Sequence, residues 1–394
     1  MLTSRALRPR VTAIDFAERI FAHLPRADQR HWAHAYLEGL LRTPGKKSLR
    51  RLAASVSDSP TASQSLHQFV NDSPWDWDPA YRQLMGWAEQ CLNPRAWVID
   101  VAVLRKQGEH SCGVHRRFVP GTGRSVNCQV GVGGFLVTAN EAVPVDWRLL
   151  LPRTWTADPR RRSRARIPDG ASCAGPEGHA LDLVRSMSGR TRLAGVPVVA
   201  DLTAHDTSAT LVRGLGALGR DFVVAVPGLL PVVAGRHLVA RRRDGGGPPT
   251  ALEAGRCLAP AHDRGSGTES ATVHDEQGRP LAVRSAPVHL PGPGSAGTAL
   301  HRTFRLFSVR PLHHHGPAGL WLTSMTGRRL DELVALSRLR VRAAQTVRVL
   351  ESDFGLRDFE GRSYPGWHRH TTLVTAAYAH SRLNLADRRT ALSS

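Results

Sequence analysis

The sequence has 394 residues, of which 41% are hydrophobic and 22% are charged, so it can bury a large core and does not have the composition of a disordered protein. Its 53 Lys and Arg residues exceed its 33 Asp and Glu residues, which gives a formal net charge of +20. Such an excess favours a polyanionic partner, with nucleic acid as the first expectation. The five cysteines are scattered and none forms a Cys-x-x-Cys pair, which argues against a disulfide framework or a zinc knuckle.

Membrane association is not expected from the hydropathy of the chain. The first residues contain no long apolar segment, and the most apolar run, residues 222–235, is interrupted by Pro227 and Pro231. We therefore expect neither a signal peptide nor a membrane-spanning helix.

Residues 1–92 are predicted to form a helical N-terminal domain that binds DNA. Several segments from residue 12 onward carry apolar residues at helical spacing, separated by turn clusters. Residues 45–72 have helix-turn-helix proportions, although the same pattern is compatible with an ordinary solvated helix face. The candidate DNA contacts lie on the first helix and its approach: Lys46, Lys47, Arg50 and Arg51.

The pattern changes after residue 93, where strands are predicted at Ala96–Val103, Ser125–Thr138 and Val143–Leu151. Helices and strands then alternate as far as residue 227, which is the layout of an α/β fold with a mixed sheet.

The C-terminal part of the chain is predicted to contain two further regions. Residues 228–318 alternate short strands with Gly- and Pro-rich stretches, which indicates a β-rich insertion. Residues 319–394 are predicted to hold the closing helices. One of these is expected to run from Arg329 to about Phe354, and the last from Thr371 to Leu385.

A second basic segment lies between the strands and the first core helix. Residues 153–166 contain six arginines in a context that reads as a loop. A solvated loop is one interpretation, but this density favours contacts to DNA phosphates. The arginines are Arg153, Arg160, Arg161, Arg162, Arg164 and Arg166.

Two aspartates each follow a short apolar strand. Asp100 ends the segment WVID and Asp201 ends the segment VPVVAD. Acids at the ends of neighbouring strands converge at one edge of a sheet, where ligands of open α/β sheets bind. Two such carboxylates suit Mg²⁺, and a metal pair held in this way can activate the oxygens of a phosphodiester. The alternative is that each Asp only caps a strand or a following helix.

Several segments, taken in order, resemble the DDE insertion-sequence transposases, in the branch related to insertion sequence 701. The resemblance implies an RNase H-like core that cuts and joins DNA with Mg²⁺, a helical N-terminal DNA-binding region and a β insertion before the third acid. It also implies that Asp100 and Asp201 are the first two catalytic, metal-binding acids. The segments are VNDSPWD, NCQVGV, VPVDWRLLLPRTW, GVPVVAD and GLRDFEGRSYPGWHRHTTLV.

The third acid of that family pattern is missing. The family's Tyr, Arg, Glu and Lys positions fall on Ser337, Arg340, Ala344 and Glu351, so only the arginine is kept, as a further DNA-contact candidate. Glu351 lies seven residues after Ala344, on the same helix face but two turns, or roughly 10 Å, along the axis. A ligand of Mg²⁺ must lie within about 2.1 Å, so Glu351 is a doubtful substitute catalytic acid.

Three functions remain compatible with the sequence. The first is a transposase-derived protein that binds double-stranded DNA, with impaired strand cleavage and Mg²⁺ held weakly or not at all. The second is an active Mg²⁺-dependent transposase that uses a substitute acid such as Glu351. The third is a pseudoenzyme recruited to a role other than transposition. We expect a cytoplasmic, nucleoid-associated protein that acts as a homodimer on DNA.

Overall fold

The structure is a computed structural model. It describes residues 11–119, 123–171, 173–205, 208–235, 251–259, 268–291, 302–313 and 318–392. Part of the predicted β-rich insertion, including residues 236–250, 260–267 and 292–301, therefore lies outside the described residues, as do residues 1–10 of the predicted N-terminal domain.

The described chain begins with helices, as predicted for this region. Thr12 caps the first of them, because its side-chain oxygen accepts a hydrogen bond from the backbone N–H of Asp15. The apolar faces of these helices are buried, with Phe16, Leu37 and Leu66 fully enclosed. The helices are α1 (Ala13–Ile20), α2 (Ala27–Arg42), α3 (Leu49–Val56), α4 (Ala62–Asn71) and α5 (Asp78–Cys91).

The strands form one sheet, which has twelve strands within the described residues. The first six are β1 (Ala96–Arg105), β2 (His115–Val119), β3 (Arg124–Val137), β4 (Ala142–Leu149), β5 (Val198–Ala200) and β6 (Phe222–Val226). The others are β7 (Pro231–Ala234), β8 (Leu252–Glu253), β9 (Glu269–His274), β10 (Pro280–His289), β11 (Phe304–Pro311) and β12 (Gly319–Thr323).

Strand order shows how the core is assembled. The order is β2-β3-β1-β5-β6-β12-β11-β10-β7-β8, with β4 paired to β3 and β9 paired to β10. β1, β5 and β6 are parallel neighbours, whereas β3 is antiparallel to β1 and to β4. This mixed sheet confirms the predicted α/β fold with its RNase H-like core. Strands from the predicted insertion continue the same sheet beyond β6.

Short and long helices follow the core strands. The central ones are α6 (Arg153–Thr156), α7 (Pro159–Ala165), α8 (Pro176–Arg190), α9 (Ser208–Ala217) and α10 (Ala254–Cys257). The closing ones are α11 (Leu330–Arg338), α12 (Arg340–Ser352) and α13 (Tyr364–Leu392). No helix in the described residues is both long and apolar enough to cross a membrane.

The prediction of a single long helix from Arg329 to about Phe354 is wrong, because the chain forms two helices separated at Leu339. Around this residue the backbone hydrogen bonds span three residues: the N–H of Leu339 donates to Leu336 and that of Arg342 donates to Leu339. Such tighter turns interrupt the α-helical hydrogen-bond pattern. The break makes Arg340 the first residue of α12.

The last helix, α13, starts at Tyr364, seven residues before the predicted start. Pro365 fits the first turn of a helix, where its missing N–H leaves no bond unmade, and the Ser363 hydroxyl accepts from the Gly366 N–H. The helix packs against both the N-terminal helices and the sheet. His370 Nδ1 lies 2.8 Å from the Tyr36 hydroxyl of α2, and Thr375 accepts from the indole N–H of Trp147 on β4.

A buried ion-pair network joins the N-terminal helices to the core. Arg190 of α8 lies 2.7 Å from Asp146 of β4 and also contacts Asp78 of α5. Asp146 is completely buried and has a second partner in Arg148 at 2.5 Å. A buried carboxylate is tolerated only when such partners satisfy it.

We expect Arg190→Met to lower the free energy of unfolding by about 3 kcal/mol, because it removes a buried partner of Asp146 and Asp78. Urea unfolding monitored by circular dichroism measures the loss. The control is Arg185→Met on the same helix, whose ion pair with Asp182 is about half exposed and is worth at most about 1 kcal/mol. Equal losses in the two variants would contradict a structural role for the network.

Candidate functional site

The pairing of β1 with β5 sets the positions of the two aspartates. The strands are parallel, and their last paired residues are Ile99 and Ala200. Asp100 and Asp201 follow those residues directly, so they lie side by side at the edge of the parallel part of the sheet. Asp201 follows the end of β5, but Asp100 lies within β1, opposite Gly133 of β3. The prediction that Asp100 ends its strand is therefore wrong. Adjacent strands are about 4.8 Å apart, and residues in matching register point to the same face.

Asp100 is a largely buried acid. One carboxylate oxygen accepts from the backbone N–H of Val101 at 2.8 Å. The pKa of Asp100 is raised to about 6, chiefly by burial and also by the charge of Asp201. The hydrogen bond from Val101 and the charge of Arg340 act in the opposite direction on the pKa. These influences place Asp201 and Arg340 within electrostatic reach of Asp100.

Asp201 is already engaged by two groups. Its Oδ1 accepts from the Thr203 hydroxyl at 2.7 Å and from the Thr203 backbone N–H at 3.3 Å. Its Oδ2 forms an ion pair with Nη1 of Arg340 at 3.1 Å. The guanidinium of Arg340 also lies over the ring of Trp321, at 5.8 Å from the ring centre. An arginine thus holds one of the two acids.

The family position of the third acid offers no metal ligand. Ala344 lies one helical turn after Arg340 on α12 and is partly buried. In the parts of the chain that the structure describes, no three His, Cys, Asp or Glu residues lie close enough together to hold an ion. Two carboxylates, one of them paired with Arg340, do not fit a two-metal centre, which needs ligands for both ions.

Glu351 lies in the last turn of α12, away from the two aspartates along the helix. Burial raises the pKa of Glu351, and the nearby charges of Arg357 and Arg105 lower it. Arg105 ends β1, five residues beyond Asp100. The structure thus brings Glu351 to these arginines and does not bring it together with Asp100 and Asp201.

The predicted DNA contacts around α3 divide into two kinds. Lys46, Arg50 and Arg51 are exposed. Lys47, by contrast, is buried, and its ammonium donates to the carbonyls of Leu40, at 2.7 Å, and Thr43. Its prediction as a DNA contact is therefore corrected: the ammonium satisfies carbonyls at the end of α2.

The prediction of a loop for residues 153–166 is wrong, because the segment forms α6 and α7. Asp158 caps α7 by accepting from the N–H groups of two following residues, and Pro159 fits the first helical position. The exposed arginines whose side chains donate no hydrogen bond to the described protein are Arg153, Arg160, Arg161 and Arg164. Of these, Arg161 lies 3.7 Å from the Asp158 carboxylate and over the Trp155 ring. The exceptions are Arg162, which donates to carbonyls including Pro168, and Arg166, which donates to Asn71 and Ser363.

The short basic helices start at the same edge of the sheet as the acid pair. β4 is antiparallel to β3, which is antiparallel to β1, so β4 and β1 run in the same direction. α6 and α7 follow β4 within a few residues. The exposed arginines of α7 are therefore placed toward the edge at which Asp100 and Asp201 lie.

A third basic element, which was not predicted from the sequence, is β2. Arg116 and Phe118 are exposed, and Phe118 has 58% of its surface open to solvent. Arg117 lies 3.1 Å from Nε2 of His205, in the short turn after Asp201. The signal was present in the sequence as two adjacent arginines and an aromatic residue, but the segment was not assigned to a strand.

Comparison with known proteins identifies one family. A family model described as "DDE superfamily endonuclease" matches residues 19–286, which is more than half of the chain. The match includes Asp100 and Asp201 and ends before α12. A comparison with proteins of curated function found no similar sequence.

The buried position of Asp100 leads to a prediction about pH. Because the pKa of Asp100 is raised to about 6, the folded state keeps this proton to a higher pH than the unfolded state. The free energy of unfolding should then fall as the pH rises from about 4 to about 7. We expect Asp100→Asn to raise it by roughly 1–3 kcal/mol at pH 8, with little change at pH 4.

Urea unfolding at both pH values measures this difference, with Asp182→Asn as the control because Asp182 is about half exposed. If Asp100→Asn is no more stable than the natural protein at pH 8, the ionised Asp100 carboxylate does not destabilise the folded state.

Proposed function

The chain belongs to the DDE superfamily of endonucleases, and from this premise we propose that it is a transposase-derived DNA-binding protein with impaired strand cleavage and transfer. Within the superfamily we assign it to the branch related to insertion sequence 701, on the sequence segments that resemble that branch. Its partner is double-stranded DNA, on which it acts as a homodimer in the cytoplasm, associated with the nucleoid.

One observation carries the proposal: the two acids share one edge of the sheet, but the cation beside them is Arg340. The ion pair between Arg340 and Asp201 measures 3.1 Å, and Ala344 supplies no third carboxylate. Enzymes of this superfamily generally use divalent metal, which activates the attacking and leaving oxygens. We propose that Mg²⁺ binds weakly or not at all here, and that cleavage is impaired for this reason.

DNA binding is supported by the distribution of charge. The chain carries a formal net charge of +20, and exposed arginines of α7 follow a strand that ends at the acid edge. Exposed basic side chains also occur at α3 and on β2. Contacts of this type neutralise phosphates without reading bases, so the expected binding is tolerant of sequence and sensitive to salt.

We further propose four functional regions within this chain. Residues 1–92 would contact DNA, and residues 93–227 together with 319–394 would form the RNase H-like core. Residues 228–318 would form the β-rich insertion. The strands of the insertion continue the core sheet, which supports a fixed position for the described part of this region.

The arginines of α7 give a prediction for DNA binding. We expect the triple substitution of Arg160, Arg161 and Arg164 by Ala to reduce the slope of log affinity against log salt by about 2–3. Low-salt affinity for a random duplex should fall at least roughly tenfold. Fluorescence anisotropy between low and moderate salt measures both quantities.

The matched control replaces three other exposed arginines, Arg82, Arg185 and Arg213, which lie on α5, α8 and α9. It should leave the slope closer to that of the natural protein. No DNA association of the natural protein at low salt would remove the proposed function altogether.

Cleavage is the second test of the proposal. We expect little nicking of a duplex carrying the element's own ends by the natural protein, with either Mg²⁺ or Mn²⁺. Ala344→Glu should raise nicking, since it returns a carboxylate to α12 one turn after Arg340. Adding Asp100→Ala to that variant should abolish the gain. Robust nicking by the natural protein, lost in Asp100→Ala and in Glu351→Gln, would instead identify an active enzyme that uses Glu351.

A further inference from the structure

The charge balance of the acid pair is unusual because an arginine supplies the positive charge. Asp100 and Asp201 each directly follow the last residue pair of the parallel strands β1 and β5. Two carboxylates so placed repel each other unless a cation lies beside them. Within the described residues, that cation is the Arg340 guanidinium, 3.1 Å from Asp201.

The backbone and a ring determine where Arg340 lies. It is the first residue of α12, directly after the break at Leu339, and α12 packs against β1 and β4. The guanidinium lies over the Trp321 ring of β12, a neighbour that stabilises a cation on its face. About half of the Arg340 side chain remains exposed, so it can swing away without unpacking the core.

A guanidinium in this place disfavours a divalent cation in two ways. It engages Oδ2 of Asp201, while Thr203 engages Oδ1, so fewer lone pairs of this carboxylate remain for an incoming ion. It also adds a like charge close to the ion. Mg²⁺ and Mn²⁺ prefer hard, charged oxygen ligands, and no third His, Cys, Asp or Glu of the described residues joins the two acids to form a group that could hold an ion.

We propose that Arg340 is the internal counter-ion of the Asp100–Asp201 pair, and that it decides whether the pair can bind a divalent cation. While Arg340 is paired with Asp201, the site is closed to metal. When Arg340 is absent or drawn away, the two carboxylates are open to one ion. This inference deepens the proposed function by naming the residue that suppresses metal binding, but it does not require that the chain bind DNA.

The test is a titration of the full-length protein with Mn²⁺ alone, in the absence of DNA, followed by electron paramagnetic resonance of the free ion. We expect the natural protein to bind Mn²⁺ weakly and Arg340→Gln to bind at least roughly tenfold more tightly, with one ion per chain. Arg340→Lys, which keeps the charge, should remain close to the natural protein. Adding Asp201→Asn to Arg340→Gln should remove the gain.

The matched control is Arg342→Gln on the same helix. Arg342 contacts Ala139 and Glu276 and does not contact the acid pair, so its variant should bind Mn²⁺ like the natural protein. Arg340→Met, which keeps an apolar stem over Trp321, is a second variant in case Arg340→Gln does not fold. Thermal unfolding confirms that each variant is native before titration.

Two results would overturn the inference. One is equal Mn²⁺ affinity in the natural protein, Arg340→Gln and Arg340→Met, whether tight or weak. The other is weaker binding in these variants than in the natural protein, which would make Arg340 a group that orients Asp201 for metal. DNA affinity is measured on the same samples to separate this failure from failure of the proposed function. If DNA binding is intact, either result overturns only the role of Arg340 as counter-ion.

Discussion

The parallel pairing of β1 with β5 is the constraint on which the candidate site depends. Its last paired residues, Ile99 and Ala200, fix the register, so the residues that follow must lie side by side. A slip of one residue would turn one aspartate to the opposite face of the sheet. The buried apolar residues on both strands prevent such a slip, since it would expose them. The position of the acids is thus a consequence of core packing, and it persists whether or not the site is active.

This origin explains which parts of the site could be predicted from the sequence. Asp100 and Asp201 could be predicted because each ends a short apolar run, a local pattern that also predicts the strands. The contact between Arg340 and Asp201 could not, because it depends on the break at Leu339 and on how α12 packs against the sheet. Periodicity showed a continuous helix there, and the three-residue hydrogen bonds that interrupt it leave no clear trace in composition.

The basic residues show a second limit of sequence reasoning. Lys46 and Lys47 are adjacent and look equivalent, but only Lys46 is exposed. The last carbonyls of a helix lack intrahelical donors, and Lys47 satisfies those at the end of α2. Arg166 and Arg369 do the same at the end of α4. Part of the surplus of positive charge is therefore used inside the protein, and only the remainder is available to phosphates.

The same electrostatic balance connects Arg340 with Ala344. A metal centre with three carboxylates is stable when divalent ions offset their charge. With a single guanidinium in place of those ions, a third carboxylate would leave the site strongly negative. Two acids, one of them largely buried with a pKa raised to about 6, come close to balance with one arginine. A small, uncharged residue at position 344 is therefore consistent with a site whose permanent cation is Arg340. On this argument the missing acid and the internal counter-ion are two parts of one change.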